Sequence, residues 1–208
     1  ALRMDPSDRT ARVRLGEMYG DAGRMEDASK LYQDIIRGDP GSPQACQSAG
    51  RWDLLLQRSG DPLARAEAWR GTLRDVPDTA CLLQCFLVAL MDAGAYPEAM
   101  EVCKRALDHW PETATFRLAR AVLLCHLGNT TEGIAALDAV SLDPADVPGA
   151  LVENMATLAL SLACRQKFPE AERLALAAVR LEPANLWWIV RLGEIFAIEG
   201  KNGEALEK

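Results

Sequence analysis

Six cysteines and two histidines are the side chains of this 208-residue chain with the most chemistry to offer. A thiol beside an imidazole can make a nucleophile and its base, and several such groups at short spacing can make a metal site. Cys125 and His126 are adjacent, but neighbours on a helix point about 100° apart, which is poor geometry for such a pair. His109 lies in Asp108-His109-Trp110-Pro111 at a helix end, where a surface or capping role fits better than a base. Cys81 and Cys85 stand at i, i+4, so on a helix both thiols lie near one face and could hold a soft metal. The competing reading takes Cys46, Cys81, Cys85, Cys103, Cys125 and Cys164 as small hydrophobes with free thiols. It is preferred because no CxxC spacing occurs and a chain of this size needs no disulfide framework.

The remaining catalytic signatures are missing from the sequence. No glycine-rich phosphate loop follows a strand, no serine elbow occurs, and adjacent acids such as Glu26-Asp27 fall near a turn where charge is solvated. The expectation is a non-enzyme without cofactor or metal. Composition narrows the partners. With 23 basic and 30 acidic side chains, a net charge of −7 and no Lys/Arg run, nucleic acid is not expected. A hydrophobic content of 49% and a mean hydropathy of −0.07 describe a folded chain. The longest apolar run, near Leu151–Ala163, is broken by Glu153, Asn154, Thr157 and Ser161, so no membrane insertion is expected. Nothing at the N-terminus reads as a signal peptide, and free thiols suit a reducing compartment, so the expected location is cytoplasmic. Ala1-Leu2-Arg3-Met4-Asp5-Pro6 reads as the end of a helix, which favours a parent longer than this chain.

What positions these residues is a repeat. Asp5-Pro6, Asp39-Pro40, Val76-Pro77, Trp110-Pro111, Asp143-Pro144 and Glu182-Pro183 recur at intervals of about 34 residues. Between them fall Gly23, Gly60, Gly94, Gly128 and Gly200, each able to take the left-handed conformation that ends a helix. Proline closes a second helix by lacking an N–H and restricting its predecessor. The unit is two antiparallel helices and a short turn, which predicts roughly eleven helices in all.

These residues resemble the tetratricopeptide repeat. The first block supplies Leu15-Gly16, Tyr19, Ala28, Tyr32 and Pro40, and the third Leu83, Leu90, Gly94, Ala99, Ala106 and Pro111. The fifth supplies Leu158-Ala159, Leu162, Ala171, Ala178 and Pro183, and the sixth begins with Leu192-Gly193 and Phe196. The resemblance implies an all-α, right-handed α-solenoid forming a single array, with repeats near residues 9–42, 43–79, 80–113, 114–146 and 152–185 and a partial one at 186–208. Three departures stand out. Arg65 occupies the expected alanine position of the second block unless Ala66 takes it, Gly133 occupies that of the fourth, and Asp146–Ala150 inserts an irregular joint.

In this family the first helix of each pair lines a concave groove. The matching offsets are Val13, Glu17 and Gly20; Gln47, Arg51 and Leu54; Gln84, Val88 and Met91; Leu118, Val122 and Cys125; Ala156, Leu160 and Ala163; Val190, Glu194 and Ala197. The partner-binding candidates are Gln47, Arg51, Gln84, Val88, Met91, Leu118, Val122, Ala156 and Leu160, an apolar strip suited to a helix or extended peptide of a protein partner. Chaperone-tail recognition by basic residues is not implied, because no lysine occupies these offsets. An absent part of the parent, or an extra helix, is an alternative occupant. The functional expectation is a protein-interaction scaffold. The alternative is a regulatory or substrate-positioning arm of a larger enzyme or polymer-export machine, for example a glycosyltransferase. Trp187, Trp188, Leu192, Ile195, Phe196 and Ile198 crowd the last helix, so self-association through the C-terminal end is also expected.

Overall fold

A computed structural model describes residues 8–140 and 147–200. Among them are eleven α-helices and no strand. The chain divides into two compact units, Ala1–Gly94 and Ala95–Lys208.

The first unit holds α1 (Arg9–Asp21), α2 (Met25–Gly38), α3 (Pro43–Gln57), α4 (Pro62–Leu73) and α5 (Ala80–Asp92). Each helix packs on its chain neighbour, and the odd-numbered helices also pack on one another, α1 on α3 and α3 on α5. Local chemistry sets the starts. Asp8, Ser42 and Asp61 accept the backbone N–H three residues on, and Pro43 and Pro62 open their helices where no N–H is needed. Pro40 and Pro77 follow the ends of α2 and α4 as the repeat predicts.

The second unit holds α6 (Tyr96–His109), α7 (Ala114–His126), α8 (Thr130–Asp138), α9 (Gly149–Cys164), α10 (Phe168–Leu181) and α11 (Leu186–Glu199). Within it α7 packs on α9 and α9 on α11, while α8 packs on α10. The helix α8 has nine residues where α6 and α10 have 14. Beside its C-terminal end lie two clefts, one of ≈ 320 Å³ against Leu107, Arg117 and Arg120 and one of ≈ 230 Å³ against Ala177, Arg180 and Leu181. Val140 lines both. Of the expected joint at Asp146–Ala150, Gly149 and Ala150 begin α9 and Val147 and Pro148 precede it outside any helix, while Asp146, Asp5-Pro6 and Pro144 lie outside the described residues.

The residues that follow the first helices share one backbone conformation. Gly23, Gly60, Gly94, Gly128 and Gly200 all have φ between 70° and 95°. The equivalent position after α9 is Gln166, at φ 62°, so a side chain sits where the other turns use glycine. Close approach explains two other small residues. A Cβ on Gly16 would stand 2.6 Å from the Tyr32 ring, and one on Gly133 would stand 2.7 Å from the Ala121 carbonyl oxygen and nearer still to Cys125 Sγ. Gly133 therefore replaces the usual alanine because α8 lies too close to α7 for a methyl group.

Candidate functional site

In the first unit the face of interest is built on α3. Gln47, Arg51 and Leu54 fall at i, i+4 and i+7, and all three are exposed, Leu54 to 52%. Arg51 Nε reaches Glu17 Oε1 of α1 at 2.9 Å, so an ion pair spans the two helices on this side. On α5, Gln84 is half-buried. Val88 and Met91 are not on an open surface: both are buried among the continuous buried run Phe86–Met91. The same correction applies to Val13.

In the second unit the expected groove positions divide similarly. Leu118, Val122 and Cys125 of α7 and Ala156 and Ala163 of α9 are buried, while Leu160 is half-buried. Periodicity alone could not separate these cases, because a helix flanked on several sides is apolar all round. At the C-terminal end the expectation also changes. Trp188, Leu192, Ile195 and Phe196 are buried on a helix that packs on α9 and α10, and the exposed apolar side chains of α11 are Leu186, Trp187, Val190 and Ile198. Trp187 carries the Arg191 guanidinium over its ring at 4.2 Å.

Beneath the α3 face lies a charged network that the sequence signalled only as a misplaced arginine. Arg65 of α4 is buried, as is its neighbour Ala66. It donates from Nε and Nη2 to the two oxygens of Asp53 on α3, at 2.8 and 2.6 Å, and from Nη1 to Asp92 at the end of α5, at 2.5 Å. Trp69 Nε1 donates to Asp53 Oδ1 at 2.7 Å, and its ring lies 4.7 Å from that of Trp52. Burial pulls the Arg65 pKa down, but hydrogen bonding to Asp53, with the Asp53 and Asp92 charges, outweighs it and leaves the pKa raised. One guanidinium thus joins three helices.

The cysteines divide into classes the sequence did not separate. Cys46 of α3 and Cys81 of α5 form a disulfide, with Cα atoms 5.6 Å apart. This overturns the expectation of six free thiols and commits Cys81, so it is not available with Cys85 to hold a metal. The 35-residue separation is close to one repeat, which brings equivalent parts of successive first helices together. The other four cysteines are free. Burial pushes the Cys85 and Cys103 thiols up to about 12 and Cys125 up to about 11. Cys103 Sγ donates to the Phe116 carbonyl at 3.2 Å and Cys125 Sγ to that of Thr130 at 3.8 Å. His126 stacks on Tyr96 at 4.0 Å, and burial lowers its pKa to about 4, so the imidazole is neutral. Neither member of the Cys125–His126 pair is in the ionic state a thiolate–imidazolium pair requires.

Helical pairs, left-handed turns and alanine-lined crossings point to one repeat family. Two tetratricopeptide repeat models match the chain, at residues 1–43 and 90–151. The chain belongs to the tetratricopeptide repeat family. No curated protein matches it. Among solved structures, a tetratricopeptide repeat protein from Parabacteroides merdae is similar with a TM-score of 0.59 at 16% identity, covering 96% of this chain and 76% of its own. A thermophilic tetratricopeptide protein of Thermus thermophilus is similar at 0.56 and 20% identity, covering 91% of this chain and 99% of its own. YrrB, described as a tetratricopeptide protein with an unusual peptide-binding site, is similar at 0.52 and 14% identity, covering 91% and 94%. At these identities the likeness is one of fold. Tetratricopeptide repeats are, as a class, non-catalytic scaffolds for protein or peptide partners. Among the described residues no helix is long and apolar enough to cross a membrane.

Proposed function

We propose that this tetratricopeptide chain binds an extended peptide of a protein partner along the first-helix face of its first unit, with Gln47, Arg51, Leu54 and Gln84 making the contacts. The supporting observation is the exposed Gln47, Arg51 and Leu54 stripe on α3, whose opposite side buries Ala45, Ala49, Trp52 and Leu55. Glutamine amides can donate to and accept from an extended backbone, Leu54 offers an apolar contact, and Arg51 can exchange Glu17 for a peptide carboxylate. Val88, Met91, Leu118, Val122 and Ala156 enter this reading as the packed support of the first helices, and Leu160 as a half-buried position of the second unit.

Selection of a displayed peptide library against the chain supplies the ligand for the test. Replacing Gln47 with Ala and Arg51 with Glu together should weaken the selected peptide at least tenfold with little change in melting temperature. A photo-crosslinker at Gln47 should capture the peptide, and one at Glu101 on α6 should not. Equal capture at both positions would exclude this face.

The exposed Leu186 and Val190 of α11 support a second contact, self-association through this helix, at 71% and 58% exposure. Its test is light scattering of the chain and of Val190→Glu, which should be shifted toward monomer. The cytoplasmic location remains part of the proposal, and there a disulfide is expected to be transient or redox-sensing rather than permanent.

A further inference from the structure

We propose that the Cys46–Cys81 disulfide is an exchange-active redox site, opened by a dithiol reductant that attacks Cys46 and expels Cys81. This stands whether or not a peptide binds the same face. The two sulfurs differ in access and in their ability to carry charge. Cys46 is exposed on α3, where an external thiolate can reach it, while Cys81 is half-buried. Cys81 is the second residue of α5, inside the first turn, where free backbone N–H groups favour a thiolate. Its sulfur also lies 3.6 Å from Thr79 Oγ1. A disulfide sulfur has no proton, so the hydroxyl is the donor. Charge appearing on Cys81 Sγ is therefore met by a helix N-terminus and a hydroxyl together.

The exchange balances in two steps. One thiolate of the reductant bonds to Cys46 Sγ, the Cys46–Cys81 bond breaks, and its electron pair leaves on Cys81 Sγ, which takes a proton from solvent. The second thiolate of the reductant then attacks its own sulfur bound to Cys46, closing the oxidised reductant and releasing the Cys46 thiolate, which is protonated. Two electrons pass from the dithiol to the protein. Cys85, one turn beyond Cys81, does not interfere, because burial pushes its thiol up to about 12 and leaves almost no thiolate near neutrality. Opening the bond leaves α3 and α5 joined through Arg65, Asp53 and Asp92, so the reduced unit keeps its helices together.

The 208-residue chain, oxidised with glutathione disulfide and then unfolded, should give four titratable thiols, rising to six after reduction. In the folded protein, dithiothreitol should open the bond without loss of the far-ultraviolet helix signal. Reduced glutathione quenched with acid should leave its adduct on Cys46. Thr79→Val should slow opening roughly threefold at fixed thiol concentration. Thr79 makes no side-chain cap bond to α5, so this change spares the helix start. Six thiols in the oxidised chain, reduction only in denaturant, an adduct mainly on Cys81, or an unchanged rate in Thr79→Val would each overturn the proposal.

Discussion

Among the described residues, Gln166 is the one turn residue that works against its own backbone. With φ at 62° it does what glycine does at five other turns, and an L side chain there is held in a region that disfavours it. Gln166→Gly should raise stability by about 0.5–1 kcal/mol, the relief being partly offset by the freer unfolded chain. A urea midpoint that moves down would show that the Gln166 side chain contributes more than its backbone loses. His126 gives a pH signature. Its folded pKa of about 4 lies below the ordinary value of 6.5, so the fold prefers the neutral ring. The stability tied to that preference is complete above pH 6.5 and is lost as pH falls toward 4. His126→Phe, which keeps a ring against Tyr96, should flatten that part of the melting-temperature profile. An unchanged slope between pH 6.5 and 4 would assign the acid sensitivity to other groups.

At the scale of helices, spacing of small residues decides how closely pairs can approach. Gly133→Ala places a methyl group against the Ala121 carbonyl, a backbone atom that cannot rotate away, and should cost about 2–3 kcal/mol. Gly16→Ala meets only the edge of the Tyr32 ring and should cost less. Thermal unfolding of the two variants orders them, and a milder Gly133 effect would mean that α8 shifts freely. The pairing itself was legible, because proline, glycine and alanine recur where helices end, turn and cross. The exposed face was only partly legible. Val88 and Leu54 are both apolar residues at groove offsets, yet one is buried and the other half-exposed. That difference depends on which neighbours flank each helix, information that no single helix contains. Arg65 was visible as a departure, but Asp53 and Asp92 as its partners were not, since their meeting requires α3, α4 and α5 to be folded together.

Across each unit, cohesion comes from different sources. In the first, a buried arginine joins three helices, and Arg65→Ala would leave the Asp53 carboxylate buried without its main counter-ion. A loss of about 3–5 kcal/mol is expected in urea unfolding, with falling amide protection concentrated in α3–α5. A loss under 1 kcal/mol would show that water replaces the guanidinium. In the second unit, cohesion is apolar: α7, α9 and α10 carry long buried faces, among them Phe116, Leu118, Val122, Met155 and Leu174. Neither strategy was readable from hydrophobic content alone, because both units meet the same repeat pattern with different chemistry at its variable positions.

The brevity of α8 carries a kinetic consequence. A nine-residue helix, with a cleft on either side of its last turn, has few neighbours to lose when that turn opens. Deuterium should therefore enter the amides of Leu137 and Asp138 well before those in the middle of α10, and their exchange should depend little on urea, since opening exposes little new surface. Exchange at the same rate as in the centre of α10 would place both helices in one cooperative unit. If the difference is found, the fourth repeat opens before the fifth, and a protease or chaperone that samples partly opened states would meet α8 before α10.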